Sequence, residues 1–405
     1  MILENGVIRT MDPSLPTARA LAIAGSIVAG GVGTHENALP SPDVVDLGGR
    51  CVLPGFTDSH VHFPTWSLSR HDVRLEGVSG LAEALDRVRT HPRHASWIRG
   101  TGWRSAAWDE QPTAAALDAV TGDVPALLFS KDYHSAWLNS AALARATDDL
   151  QVAGGVVERD ETGAPTGVLR EESAWQFRAR YAMPSEDEFV EATREGLRIA
   201  ASRGVVAIHD KDGWLGAPGI FQRVAERDGL TLRVWQSIPY ERLRELEALG
   251  IHSGIGDAFL RIGYLKAFMD GTLGSQIAWM LDGSGVVITS GAELAEVIRE
   301  GARLGWPVGV HAIGDRANRE ALDAFESTRD AWAPLGLRHR IEHAQCLAPE
   351  DVGRFAALGV ACSVQFSHAP SDRELAERFW PAQAAGAYAF RSLWDSGALV
   401  DPVER

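Results

Sequence analysis

Residues 53–62 read "LPGFTDSHVH". An apolar run closes on Asp58 and then sets His60 and His62 one residue apart. On a strand, residues i and i+2 share a face, so both imidazoles point the same way, as two ligands of one metal ion require. Such a pair also arises by chance in core strands. Its meaning therefore rests on whether the rest of the chain brings further ligands to the same place.

Outward from this stretch, short apolar strands recur, each followed by helical patterning. The first is read as Cys51 to Phe56, running into the motif. The next are 204–208 ("GVVAI"), 231–236 ("TLRVWQ"), 262–268 ("IGYLKAF"), 307–312 ("PVGVHA"), 339–343 ("HRIEH"), 360–366 ("VACSVQF") and 397–400 ("GALV"). Helical periodicity falls between them, at 188–203, 292–304 and 317–330. Alternating β and α units point to the α/β class, and eight of them to a (β/α)8 TIM-like barrel. Residues 1–50 read instead as a small β-layer. Asn5-Gly6 carries the strongest short hairpin signal, and a second hairpin is expected around Gly25-Ser26. Residues 51–405 form the barrel domain, and 80–200 are too long for a crossover and read as an insertion, or lid, after strand one.

Composition limits the function classes. Of 39 basic residues only Lys131, Lys211 and Lys266 are lysine, and the formal net charge is -15. That balance speaks against nucleic acid, which rewards basic patches. No apolar run reaches the length of a membrane span. The chain opens without a signal-peptide pattern, and its three cysteines, none in CxxC spacing, fit a reducing, cytoplasmic setting. Where arginine supplies nearly every positive charge, a lysine inside an apolar strand stands out, because lysine can lose its charge and arginine cannot.

Functional residues of such a barrel lie where strands end at the C-terminal face. His60 and His62 follow strand one, Lys266 lies on strand four, His311 ends strand five, His343 ends strand six and Asp401 follows strand eight. A single strand-end histidine is usually structural, and Lys266 alone could reach out to solvent. Six candidates at one end of one barrel make a metal site the better reading. Glu342, Asp270 and Asp315 adjoin the ligand motifs and could orient histidines, although Asp270 and Asp315 serve equally well as cap or turn residues. His134 and Trp103 are the substrate-binding candidates from the insertion, with Trp66, Trp108 and His209-Asp210 behind them.

These motifs carry a resemblance. "LPGFTDSHVH", "YLKAFMDGTLGSQ", "VHAIGDRAN" and "RIEHAQ", with "GTGW" and "KDYHSAWLNSAAL" in the insertion, resemble in order and spacing the amidohydrolase superfamily, and within it amidohydrolase family 3, which includes N-substituted formamide deformylase-like enzymes. The resemblance implies a barrel with an attached β-sandwich, of which only the N-terminal strands are present here. It implies a two-metal centre, usually zinc, bridged by hydroxide and by Lys266 carboxylated with carbon dioxide. His60, His62, His311 and His343 would be ligands, with Asp401 the strand-eight aspartate that ligates metal and shuttles the proton. The substrate would be a small-molecule amide. Strand eight departs from the family pattern: it reads "GALVDPVER" in place of Gly-Ser-Asp-x-Pro, and the rest of the sandwich is expected beyond it.

Two alternatives accompany this reading. A mononuclear deaminase of the same superfamily would lack the lysine bridge and carry a Glu three residues after the strand-five histidine. Here Gly314 holds that position and Lys266 is present. The other alternative is a metal-binding remnant without turnover. A half-sandwich also favours association into a homo-oligomer.

Overall fold

The computed structural model describes residues 1–405 apart from 26, 34–40, 93–95, 106–107, 132, 134, 154, 274–276 and 404–405. It divides into two units, Met1–Thr57 with Gly204–Ala207, and Asp58–Arg203 with Ile208–Arg405.

In the first unit, Ile2–Arg9 pairs antiparallel with Thr17–Ala24, which pairs with Ile27–Gly33. Val44–Asp46 and Cys51–Val52 run parallel to Ile2–Arg9. The hairpin expected at Asn5-Gly6 is absent: both residues lie inside one strand, at a bulge where the register slips between Glu4 and Ile8. Asn5 takes φ +55° there and bonds Asp46 at 2.8 Å. A Cβ on Gly6 would lie 2.5 Å from Leu47, so the glycine serves close packing. The hairpin at Gly25 is present, with Ala24 opposite Ile27.

Eight strands of the main sheet follow barrel order. We label them β1 Phe56–Val61, β2 Val205–Asp210, β3 Arg233–Pro239, β4 Leu260–Phe268, β5 Val308–Ala312, β6 Arg340–His343, β7 Ala361–Gln365 and β8 Val400–Val403. They lie side by side from β1 to β8, forming the nearly closed parallel barrel. Strand one is displaced from its expected place: Cys51–Val52 belongs to the N-terminal sheet, and the barrel strand begins at Phe56 and carries His60 within it.

Helices Glu186–Ser202 and Gly291–Arg303 begin at capping boxes on Ser185 with Glu188 and Ser290 with Glu293, which satisfy otherwise orphaned N–H groups. Leu265, Ala267, Val308, Val310 and Ile341 turn outward to meet helix residues such as Leu294, Ile298, Leu322 and Phe325 in the largest apolar core. Strand alternation then sends Lys266, His311, Arg340 and Glu342 the other way, into the barrel interior.

Between β1 and β2 the chain builds a second, six-stranded sheet from Val73–Arg74 to Pro165–Glu171. Its core packs Leu75, Leu117, Leu128 and Trp137. No helix among the described residues is long and apolar enough to cross a membrane.

Candidate active site

His60 Nδ1 donates to Glu342 Oε2 at 2.7 Å, and His62 Nδ1 donates to Asp212 Oδ1 at 2.8 Å. His343 Nδ1 donates to Gln365 Oε1 at 2.6 Å. His311 Nε2 faces the Gly271 carbonyl at 3.3 Å, with the Asp270 carboxylate 3.8 Å away. Each ring therefore has one nitrogen held by an oxygen of the fold and leaves the other as a lone-pair donor. That arrangement fixes both tautomer and ring direction in metal-ligating histidines.

The rings also come together. His343 lies 4.6 Å from both His60 and His311, centroid to centroid, and His60 lies 5.8 Å from His62. Burial is the main reason that His60 and His343 are held well below the usual histidine range and His311 is brought down to about 3, so all three are neutral at physiological pH. A backbone departure brings His343 in. Glu342 points into the barrel, so strict alternation would send His343 outward; instead His343 takes φ +76° and Ala344 φ +42°. Left-handed backbone at non-glycine residues is strained and clusters at functional sites.

Lys266 is 2% exposed, and its Nζ has no hydrogen-bond partner. It stands 4.6 Å over the Phe268 ring, and burial lowers it to about 7. A buried amine with its donors unmet and its charge disfavoured is the group that reacts as a neutral nucleophile.

A saturated charge cluster adjoins these groups. Glu342 is fully buried. It accepts from Arg340 Nε at 2.6 Å and Nη2 at 2.9 Å, and pairs with Lys211 Nζ at 3.1 Å. Burial alone would raise Glu342, but the charges of Arg340, Lys211 and His60 outweigh it and hold the carboxyl well below its usual value.

Among the described residues no three His, Cys, Asp or Glu side chains already close a metal cage. The donors nevertheless suit divalent cations by their chemistry: neutral imidazoles with one nitrogen tied off, beside an orphaned buried amine. A cavity of about 580 Å³ opens beside Lys266 and Phe268, walled also by Trp214, Pro239 and Glu241.

Other candidates separate from this cluster. Asp401 sits on β8 opposite Ser363, and its carboxylate lies 3.9 Å from Arg340. Its place on the strand is level with Glu342 and, across β5, with His311. Trp103 is not a pocket residue: it is 2% exposed, donates to the Leu128 carbonyl at 2.8 Å and packs 6.4 Å from both Trp108 and Trp137 in the insertion core. Trp108 belongs to the same core. His134 lies outside the described residues. Trp66 packs on Phe63. His209 accepts from Arg340 Nη1 at 3.1 Å inside the barrel. Asp270 accepts N–H groups of Trp279, Ile313 and Gly314, holding the loop that flanks His311. Asp315 caps backbone at Leu281 and Arg316 and meets none of the histidines.

Sequence reasoning passed over Arg340, Asp212 and Gln365. Asp212, two residues past the end of β2, offered only the weak signal of a polar run after an apolar strand, and Gln365 offered none.

Comparison with known proteins places the chain. The family pattern described as "Amidohydrolase family" matches residues 43–400. Protein LONG AFTER FAR-RED 3 of Arabidopsis thaliana is 31% identical over 99% of this chain and 74% of its own length. N-substituted formamide deformylase of Arthrobacter pascens is 26% identical over 89% of this chain and 71% of its own. An uncharacterized metal-dependent hydrolase from Pyrococcus furiosus superposes with TM-score 0.82 at 26% identity, covering 100% of this chain and 84% of its own. With that family match and those motifs at the barrel's C-terminal end, the chain belongs to the amidohydrolase family and is a hydrolase.

Proposed function

We infer that this protein hydrolyses an amide-type C–N bond with the help of two divalent cations, zinc the leading choice. One observation carries the reading: neutral histidines, each with one ring nitrogen tied off, gather around a buried lysine whose amine has no partner. His60, His62, His311 and His343 would hold the cations through their remaining nitrogens. Lys266, once carboxylated by carbon dioxide, would join them as a bridging carboxylate. When bound, the cations polarise the scissile carbonyl and activate water.

The protein's own groups do the rest. Glu342, Asp212, Gln365 and the Gly271 carbonyl keep the imidazoles aimed and in one tautomer. Trp214 and Phe268 form an aromatic wall, 5.6 Å apart, that reaches from His62 to His311 and would seat an apolar substituent of the substrate. Asp401, at the end of the barrel on β8, stands with its carboxylate 3.9 Å from Arg340. The name of the Arthrobacter relative supports N-substituted amides and formamides as the first substrates to try.

The test is metal content per chain by elemental mass spectrometry, followed by hydrolysis of an N-substituted amide and formamide panel. About two equivalents, with activity lost on chelation and regained with zinc and bicarbonate, is the expected result. One equivalent with deamination in place of amide hydrolysis would favour the mononuclear reading. No metal after reconstitution would overturn both.

A further inference from the structure

The geometry points to Lys211 as a positioning residue for the metal-binding strand, a role that rests on the reading of His60 and His62 as ligands. Lys211 is 1% exposed and reaches that strand once directly and once through Glu342 on β6. Its backbone N–H donates at 2.8 Å to the carbonyl of Val61, the residue between the two histidines. Its ammonium lies 3.1 Å from Glu342 Oε1, while Oε2 of the same carboxylate receives His60 Nδ1 at 2.7 Å.

The Glu342 carboxylate thus takes donors from Arg340, Lys211 and His60, which fills the roughly four acceptor sites a carboxylate has. Arg340 binds both oxygens and by itself leaves the carboxylate poised between them. Lys211 contacts Oε1 alone. It sets which oxygen is left for His60 and, through that bond, which ring nitrogen points toward His343 and His62.

The flanking residues extend the same device. Asp210 accepts from Phe63 N at 2.7 Å, and Asp212 accepts from His62 Nδ1 and from Thr65 N at 2.9 Å. Three consecutive residues at the end of β2 therefore hold the β1 end from His60 to Thr65, and Lys211 is the one that acts on His60. Its amine differs from that of Lys266, which has no partner. The Lys211 ammonium also stands 5.8 Å over the Tyr264 ring.

The test measures zinc affinity of chelator-stripped, full-length protein against a chromophoric competitor. Lys211→Met, close in length but without charge or donor, is expected to weaken zinc binding by about 10- to 100-fold. Lys211→Arg is expected to recover most of that loss. A folded Lys211→Met that binds zinc within twofold of the parent would overturn the assignment while leaving the metal site standing. A parent protein that binds no zinc would overturn the metal reading and this role with it. Should Lys211→Met fail to fold, the tautomer of His60 in the parent apoprotein decides, read by nitrogen-15 NMR of labelled imidazoles. A proton on Nδ1 supports the role, and a proton on Nε2 overturns it.

Discussion

Glu342 Oε2 and His60 Nδ1 stand 2.7 Å apart although 282 positions of sequence separate the residues, and neither is open to solvent. The pair joins β6 to β1 across the barrel interior. It makes one carboxylate answerable both for the charge balance of the core and for the aim of a candidate ligand.

Removing that charge should therefore cost both. In Glu342→Gln, Arg340 and Lys211 remain buried without their anion, and breaking a buried pair from one side costs roughly 3–5 kcal/mol. Urea denaturation is expected to show a loss of that size, with metal content per chain falling in parallel.

Asp212→Asn separates the two effects. The amide oxygen can still accept from Thr65 N–H, so the turn after β1 keeps its bond. His62 loses its anionic partner. Zinc affinity by competition titration should drop about 10-fold or more, with little change in unfolding midpoint.

Trp103→Ala tests the reassignment of this residue to packing. Truncating a fully buried tryptophan costs about 3–5 kcal/mol. Calorimetry is expected to show a lower melting temperature. The substrate KM of the remaining folded enzyme should be unchanged, and a large KM shift would restore Trp103 to the pocket.

Asp72 supplies a pH signature away from the four candidate ligand histidines, in a cavity of about 250 Å³ lined also by His71, Arg99 and Glu188. Burial, opposed by Arg74 and Arg99, raises it from 3.8 to about 6. The folded state keeps this proton in a range where the unfolded chain has released it. Stability consequently falls as pH rises through that window, by up to roughly 3 kcal/mol, and the penalty is complete above it. Asp72→Asn should flatten the stability profile between those values and raise stability at pH 8, as read by denaturant titration across pH.

The barrel was legible because strand and helix periods alternate, and because His60, Lys266 and His311 obey strand alternation. His343 came to notice through its motif. Its geometry was hidden, since counting by two from Glu342 places it on the wrong face, and only the left-handed turn at His343 and Ala344 corrects that. The start of β1 was misplaced because Cys51-Val52 is as apolar as a barrel strand yet pairs with Ile2–Arg9. Asn5-Gly6 misled for a related reason: a dipeptide that favours positive φ serves a bulge as well as a hairpin. Trp103 misled because an aromatic beside glycines looks the same whether it faces a ligand or a core. Lys211 stood out by its scarcity as a residue type, but its partner, Glu342, is far away in sequence.

The scarcity of lysine has a practical outcome. Lys211 is sealed inside the barrel and Lys266 lines the cavity, while Lys131 and the amino terminus are exposed. An amine-reactive acylating reagent should thus leave Lys211 untouched in the folded chain and modify it once the barrel opens. Following that one group by mass spectrometry would turn an interior amine into a built-in reporter of barrel breathing, without introducing any probe.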